Sequence, residues 1–467
     1  MMKRQRFFMM TAICLGAFLS HFTAGIVNVS LPQLTRIFQT DLEMAQWITT
    51  GYLLVIASLL PVMGKLGDRY GHRLLHNFGF LLFTVSSMLV ACSTSISMLL
   101  ALRIVQAVGA AMFQATNIAL ITIHIPKEMR GRAMGIMSTA VALGGMTGPI
   151  AGGFIAVWFS WEWLFLIHVP VSIVATGLAF RYIPARSHKK QAGSLDIVGA
   201  ALFMVVVSAV IFAISNGNEW GWGSAGMLIF YGIGAVSIWM LVSWEAGQAK
   251  PFLPLAVFRN LAVSSGLFIS LSAFLLANLV LVVLPFYLLG MASVSPLTVG
   301  YMMTAYPLLL AFAGPLAGWA SDRFRARPIM LTGLFAMGTG SLILALYLES
   351  LSLMEIVSVL AVMGAGMGLI ASPNNSYVMR HVPAEHAGTI GGMIALTRNA
   401  GMVVGAALGL GVINGGTSRG LEATAAAYRA VFEIGAWVCL ASVLIWGYSV
   451  RVEWKRNHNR TKRQSLH

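Results

Sequence analysis

The sequence predicts an all-α polytopic membrane protein, and three observations carry that prediction. The 467 residues are 58% hydrophobic and only 10% charged, against roughly 25% charged in ordinary soluble proteins. Mean hydropathy is +0.81. Apolar stretches, each close to the roughly 20 residues that a bilayer-spanning helix needs, succeed one another with short polar segments between them and use most of the chain. A soluble globular enzyme is excluded.

Taken in order, residues 7–31 form the first predicted span. It follows a basic N-terminus as a signal peptide would, but it is long and lacks a small-residue cleavage site, so it is read as a helix that stays in the membrane. Residues 44–64, 75–91, 98–121, 134–158 and 163–182 complete a first group of six. The polar, charged segment 186–194 that follows is the best boundary. Residues 197–215 and 225–244 form a pair, and residues 261–289, 299–319, 329–348, 353–378, 389–412 and 428–449 form a second six. The basic tail after Arg451 is expected to be disordered or to lie on the membrane surface.

The even number of spans puts both ends on one side. Apart from Arg36, Arg419 and Arg429, and Arg103 and Arg398 within spans, every Lys and Arg falls on a single side. The bias of basic residues toward the cytoplasm makes that side, and both termini, cytoplasmic. The net charge of +15 is thereby explained as topology, with no nucleic-acid partner implied. Cys14, Cys92 and Cys439 show no paired or metal-binding spacing, and no cofactor or metal is expected.

An internal repeat sets the architecture. Gly64-Lys-Leu-Gly-Asp68-Arg69 after the second span returns as Gly318-Trp-Ala-Ser-Asp322-Arg323 after the tenth. Such a repeat marks transporters made of two related bundles with the substrate site between them. The expected organisation is an N-terminal six-helix bundle (1–185), a linker with an inserted helix pair (186–258), a C-terminal six-helix bundle (259–450) and a tail (451–467).

Several residues carry candidate chemistry. In the repeated segment, read as a cytoplasmic loop, Gly64 and Gly71 permit close approach and tight turning, Asp68 can accept from helix N-terminal amides or pair with arginines, and Arg69, Arg73, Asp322 and Arg323 complete a polar latch made in one state of a rocking transporter. Arg103 is a charge inside an apolar span, a placement rare away from a cavity or partner, and is the first candidate for the transport site. Arg398 either shares that role or anchors helix packing. Glu433 lies inside the last span, where it either carries a proton or pairs with Arg429 on the same helical face. His21 and His168 read as packing residues. Thr23, Asn28, Gln106, Gln114, Asn117, Asn278, Asn374 and Asn375 are polar groups available to a cavity.

The segment from Gly64 to Arg73 resembles the cytoplasmic signature of the major facilitator superfamily. Arg103-Ile-Val-Gln106-Ala107-Val-Gly109 is similar to that family's fourth-span motif, with Ala107 where a glycine is usual. Gly144-Gly-Met-Thr-Gly148-Pro149-Ile-Ala-Gly152-Gly153 is similar to the fifth-span motif of its exporters, and Val27-Asn28-Val-Ser-Leu31-Pro32 and Trp47-Ile-Thr-Thr-Gly-Tyr52 to motifs of the fourteen-span drug:proton antiporters. The chain departs at Thr23, where many such antiporters have an acidic residue, and at Glu162 and His168, where Arg and Asn are frequent. The resemblance implies a plasma-membrane exporter of small organic compounds that works by alternating access in exchange for protons, with the fifth-span glycines limiting leakage. No nucleotide-binding loop and no hydrolase or metalloprotease motif is present, so an enzyme is not expected. The embedded arginines favour an anionic or neutral substrate, which leaves a carrier of one organic anion or metabolite as the alternative.

Overall fold

The computed structural model describes residues 3–184, 196–248, 251–253, 255–417 and 421–464; the boundary expected at 186–194 lies outside them. Among the described residues there is no strand, and fourteen helical stretches are long and apolar enough to cross a membrane. The first helices are α1 (Lys3–Phe38), α2 (Leu42–Tyr70), α3 (His72–Ala91), α4 (Ile96–His124) and α5 (Arg130–Trp158). They are followed by α6 (Trp163–Leu166), α7 (Val169–Tyr182), α8 (Ile197–Trp220), α9 (Ala225–Ala246) and the one-turn α10 (Leu255–Phe258). Then come α11 (Leu261–Gly290), α12 (Pro296–Met303), α13 (Ala305–Arg323), α14 (Ala326–Tyr347), α15 (Leu353–Arg380), α16 (Ala387–Thr417) and α17 (Leu421–Gln464).

Three boundaries differ from the sequence reading, each for a local reason. The repeated motif is not a loop. α2 runs on through Asp68 and Arg69 to Tyr70 and turns at Gly71, whose φ of +102° suits a residue without a Cβ, while α13 runs on through Asp322 to Arg323 and turns at Phe324 and Arg325. The sixth and tenth spans are each broken. Pro170 and Pro307 have no N–H to offer the carbonyls of Leu166 and Met303, so α6 and α12 end there and α7 and α13 begin anew. α17 continues through the tail to Gln464, so of the two expectations for the segment after Arg451, disorder or a place on the membrane surface, the first is not met.

Packing is by small residues, as in membrane helices generally. α1 lies on α5, where a Cβ on Gly144, Gly148 or Gly152 would run into the backbone carbonyls of Phe18, Phe22 and Ile26. α11 lies on α16 in the same manner, with Gly401 and Gly405 against the carbonyls of Leu271 and Leu275. The pair α8–α9 docks on α2: Trp47 stacks on Phe212 with ring centroids 5.6 Å apart, and the hydroxyls of Ser58 and Ser208 are 2.8 Å apart. One apolar cluster is drawn mainly from α1–α9 and a second from α11–α17.

Candidate functional site

The repeated aspartates act on helix ends. Asp68, in the last turn of α2, accepts from the backbone N–H groups of Gly388 (2.7 Å) and Thr389 (2.8 Å) and from the Thr389 hydroxyl (2.8 Å), all in the first turn of α16. Asp322, in the last turn of α13, accepts from the N–H groups of Gly131 (2.7 Å) and Arg132 (2.9 Å) in the first turn of α5. Each carboxylate therefore caps a helix from the other half of the chain. The first N–H groups of a helix have no partner within it, and that end carries partial positive charge, so a carboxylate satisfies both the donors and the field. Both side chains are at least 95% buried. His72 Nε2 stands 3.2 Å from one Asp68 oxygen, and Arg380 lies 3.9 Å from one Asp322 oxygen while donating to the Ser321 carbonyl.

Glycine contacts bring the capped and capping helices together. A Cβ on Gly64 or Gly388 would collide with the other's carbonyl oxygen, and the same is true of Gly131 and Gly318. One turn further from the caps, Gly392 meets the Leu60 carbonyl and Gly135 meets that of Gly314. At this end α2–α16 and α5–α13 are in backbone contact, and no channel separates them.

Beyond these contacts, moving away from the caps along α5, α13 and α16, a cavity of about 520 Å3 opens between helices of the two halves. His21 of α1 and Ser138, Met146, Pro149 and Ile150 of α5 face Ser270 and Asn278 of α11, Tyr306 of α13, Asn375 of α15 and Arg398 of α16. The volume lies within the range of drug-sized ligand sites. The lining is mostly apolar and includes Met146, Met303, Met367 and Met402, flexible side chains that repack around differing shapes.

A fourteen-helix chain with reciprocal caps and a cavity between its halves fits the family suggested by its motifs, and comparison decides the matter. The sequence model of the Major Facilitator Superfamily matches residues 13–293 and 266–466. The chain belongs to the major facilitator superfamily. Among its relatives are the riboflavin transporter RibZ of Clostridioides difficile, 33% identical over 86% of this chain and 87% of that one, and the multidrug resistance protein Stp of Mycobacterium tuberculosis, 29% identical over 87% and 76%. The human organic anion transporter MFSD10 shares the fold, with a TM-score of 0.65 at 15% identity over 95% of this chain and all of that one. Within the superfamily the chain groups with its multidrug efflux members.

The remaining predicted residues of this facilitator fall into different places. Arg103 does not line the cavity. It is sealed inside the first half, donating to the Ile48 carbonyl (3.2 Å) and to Gln106 Oε1 (2.6 Å), with its guanidinium 4.1 Å from the Tyr52 ring centroid and 5.5 Å from that of Phe165. Gln106 passes the chain on, donating to Ser87 Oγ (2.7 Å) and lying 3.4 Å from His168 Nε2. Thr23 is buried away from the cavity, and Asn28 sits on α1. Gln114 accepts from both Arg398 (3.4 Å) and Asn399 (3.3 Å), tying α4 to α16.

Glu433 is exposed and outside the cavity lining, and the expected Arg429 pairing is corrected: Arg429 donates to Glu349, with Nη2 2.5 Å from Oε1. Arg69 and Arg323 do not touch the capped amides. Arg69 covers Tyr70, Arg323 covers Trp319, and Arg73 donates to the Phe180 carbonyl, tying α3 to α7. Gly144, Gly148 and Gly152 face α1, Pro149 lines the cavity, and Gly153 is half-buried.

The residues that sequence reasoning missed are the capped ones. Pro126-Lys-Glu-Met-Arg-Gly131 and Pro383-Ala-Glu-His-Ala-Gly388 share Pro, Glu and Gly at the same spacing, and each forms a short 3-10 turn that leads into the capped helix. That second repeat was available to be found.

Two outcomes follow. Replacing Asp68 by Asn removes a charge-assisted bond worth about 2 kcal/mol, so hydrogen exchange at the amides of residues 388–392 accelerates at least about tenfold, and Asp322→Asn does the same at residues 131–135. Arg103→Ala leaves Gln106 and the Ile48 carbonyl without their donor and costs about 3 kcal/mol, seen as a lower melting midpoint with ligand affinity unchanged. Lys at 103 restores little, because it lacks the planar fork.

Proposed function

We propose that this facilitator exports drug-like organic compounds across the plasma membrane by alternating access, in exchange for protons. The observation that carries the reading is the pairing of a cavity between the halves with capped helix ends that close it on one side. Residues 1–185 and 259–450 act as the two six-helix bundles, and α8–α9 as the inserted pair beside them. The distribution of Lys and Arg supports a cytoplasmic capped end, and on that reading this state is closed to the cytoplasm. Breaking both caps releases α16 and α5 to swing apart there while the far end closes. Arg103 holds the first bundle together, and the glycine face of α5 against α1 limits leakage between helices. The multidrug resistance relative supports an exporter of varied compounds.

A carrier of one metabolite is the second reading. It is favoured by the more similar riboflavin transporter and by Arg398, the one Lys, Arg, Asp or Glu among the described residues of the cavity lining.

In inside-out vesicles holding a preformed pH gradient, adding a transported compound collapses part of the gradient, and Asp68→Asn abolishes the response. A panel of hydrophobic cations, neutral drugs, organic anions and riboflavin separates the two readings, since a broad response supports export of varied compounds and a response to riboflavin alone supports the carrier. No collapse with any member contradicts proton exchange.

A further inference from the structure

Arg398 is the only Lys, Arg, Asp or Glu among the described residues that line the cavity. It is more than 90% buried, and no carboxylate accompanies it: its bond to Gln114 is long, at 3.4 Å, and its Nε has no hydrogen-bond partner within the protein. A buried charge that lacks a counter-ion is costly, and within a membrane such residues pair or face a functional pathway.

Two other residues of the same lining hold buried polar atoms that are unspent among the described residues. Tyr306 Oη has no partner and nor has His21 Nε2, although each is buried. His21 Nδ1 lies 3.0 Å from both the Ala17 carbonyl and the Ser20 hydroxyl, so that nitrogen is engaged within α1 whichever tautomer the ring adopts. Opposite these groups the lining is apolar, with Met146, Phe274, Met303 and Leu310.

We propose that Arg398 is the substrate anchor of this cavity, and that it selects amphipathic organic anions: compounds with an apolar, ring-sized body and one carboxylate or comparable anionic group placed against its guanidinium. Tyr306 supplies a further donor to that group. The same four-methionine lining accepts varied bodies, so selection is by the charge of the head and not by the shape of the rest. Arg103, though also a membrane-embedded arginine, has no part in this, because the Tyr52 and Phe165 rings and the Ile48 carbonyl enclose it. This assignment rests on the reading of the cavity as the transport site.

The test uses three fluorescent probes that share one body: dansylglycine (anionic), dansylglycinamide (neutral) and dansyl-ethylenediamine (able to carry positive charge). Each is titrated into the full chain reconstituted in nanodiscs. The anion binds the unaltered protein at least about tenfold more tightly than the other two, in keeping with a charge-assisted bond to a buried group. Arg398→Gln abolishes that preference while leaving the neutral probe's affinity within about threefold, and Arg398→Lys keeps part of it. Equal affinities for the three probes, no binding of the anion, or a preference that survives in Arg398→Gln overturns the assignment. The comparison within the unaltered protein needs no variant to fold. Uptake of the probes into proteoliposomes under an imposed pH gradient separates the two levels. Arg398-dependent binding without movement defeats the transport reading and leaves the anchor standing, whereas movement of the cation with no anion preference defeats the anchor and leaves transport standing.

Discussion

A helix that starts at the meeting of two membrane bundles presents amides with no partner in its own first turn, and something must satisfy them. Here the partner is a carboxylate carried on the last turn of a helix from the other half, and the arrangement occurs twice with the roles exchanged: α2 caps α16, and α13 caps α5. Everything at this end depends on those two caps. They need the backbones in contact, and hence Gly64 against Gly388 and Gly131 against Gly318; any side chain at those positions would push the carboxylate out of reach.

The caps also suit a molecule that must change state. A buried carboxylate on a helix end is stable only while its amides are there. When the bundles separate, both partners become accessible to water, which replaces the lost bonds at modest net cost. An interface closed by a greasy surface of equal area would not reopen so readily. The cavity lies past this seal, and in the proposed cycle the state of the caps governs which side of the membrane reaches Arg398.

Much of this was legible in the sequence, for reasons that differ by residue. The fourteen spans were readable because bilayer thickness fixes helix length and because loops are short. The capping bond of Asp68 was one of two readings open in the sequence, and the recurrence of the motif extended it to Asp322. The motif's placement was not readable: glycines and charges at the end of α2 read as a loop, yet the helix continues through them, since Gly71 alone supplies the turn. The breaks at Pro170 and Pro307 were written plainly but overridden by the continuous hydropathy around them. Arg103 and Arg398 look alike in sequence, each a lone cation in an apolar run. Only packing separates them, because Tyr52 and Phe165 fold over one while the other borders open space. Glu433 misled for the converse reason: helical periodicity says that it shares a face with Arg429, but not that Glu349 from the preceding α14–α15 connection arrives first.

The central claim is that the two caps form one device, so that loosening one loosens the other. The direct measurement is the distance between spin labels at the exposed positions Met129 and Phe324, which flank the Asp322 cap, recorded in a variant that alters only the distant cap, Asp68→Asn. A shift of the distance distribution toward longer separations is expected, as in Asp322→Asn itself. A distribution unchanged by Asp68→Asn would mean that the two caps act independently, and would contradict the claim.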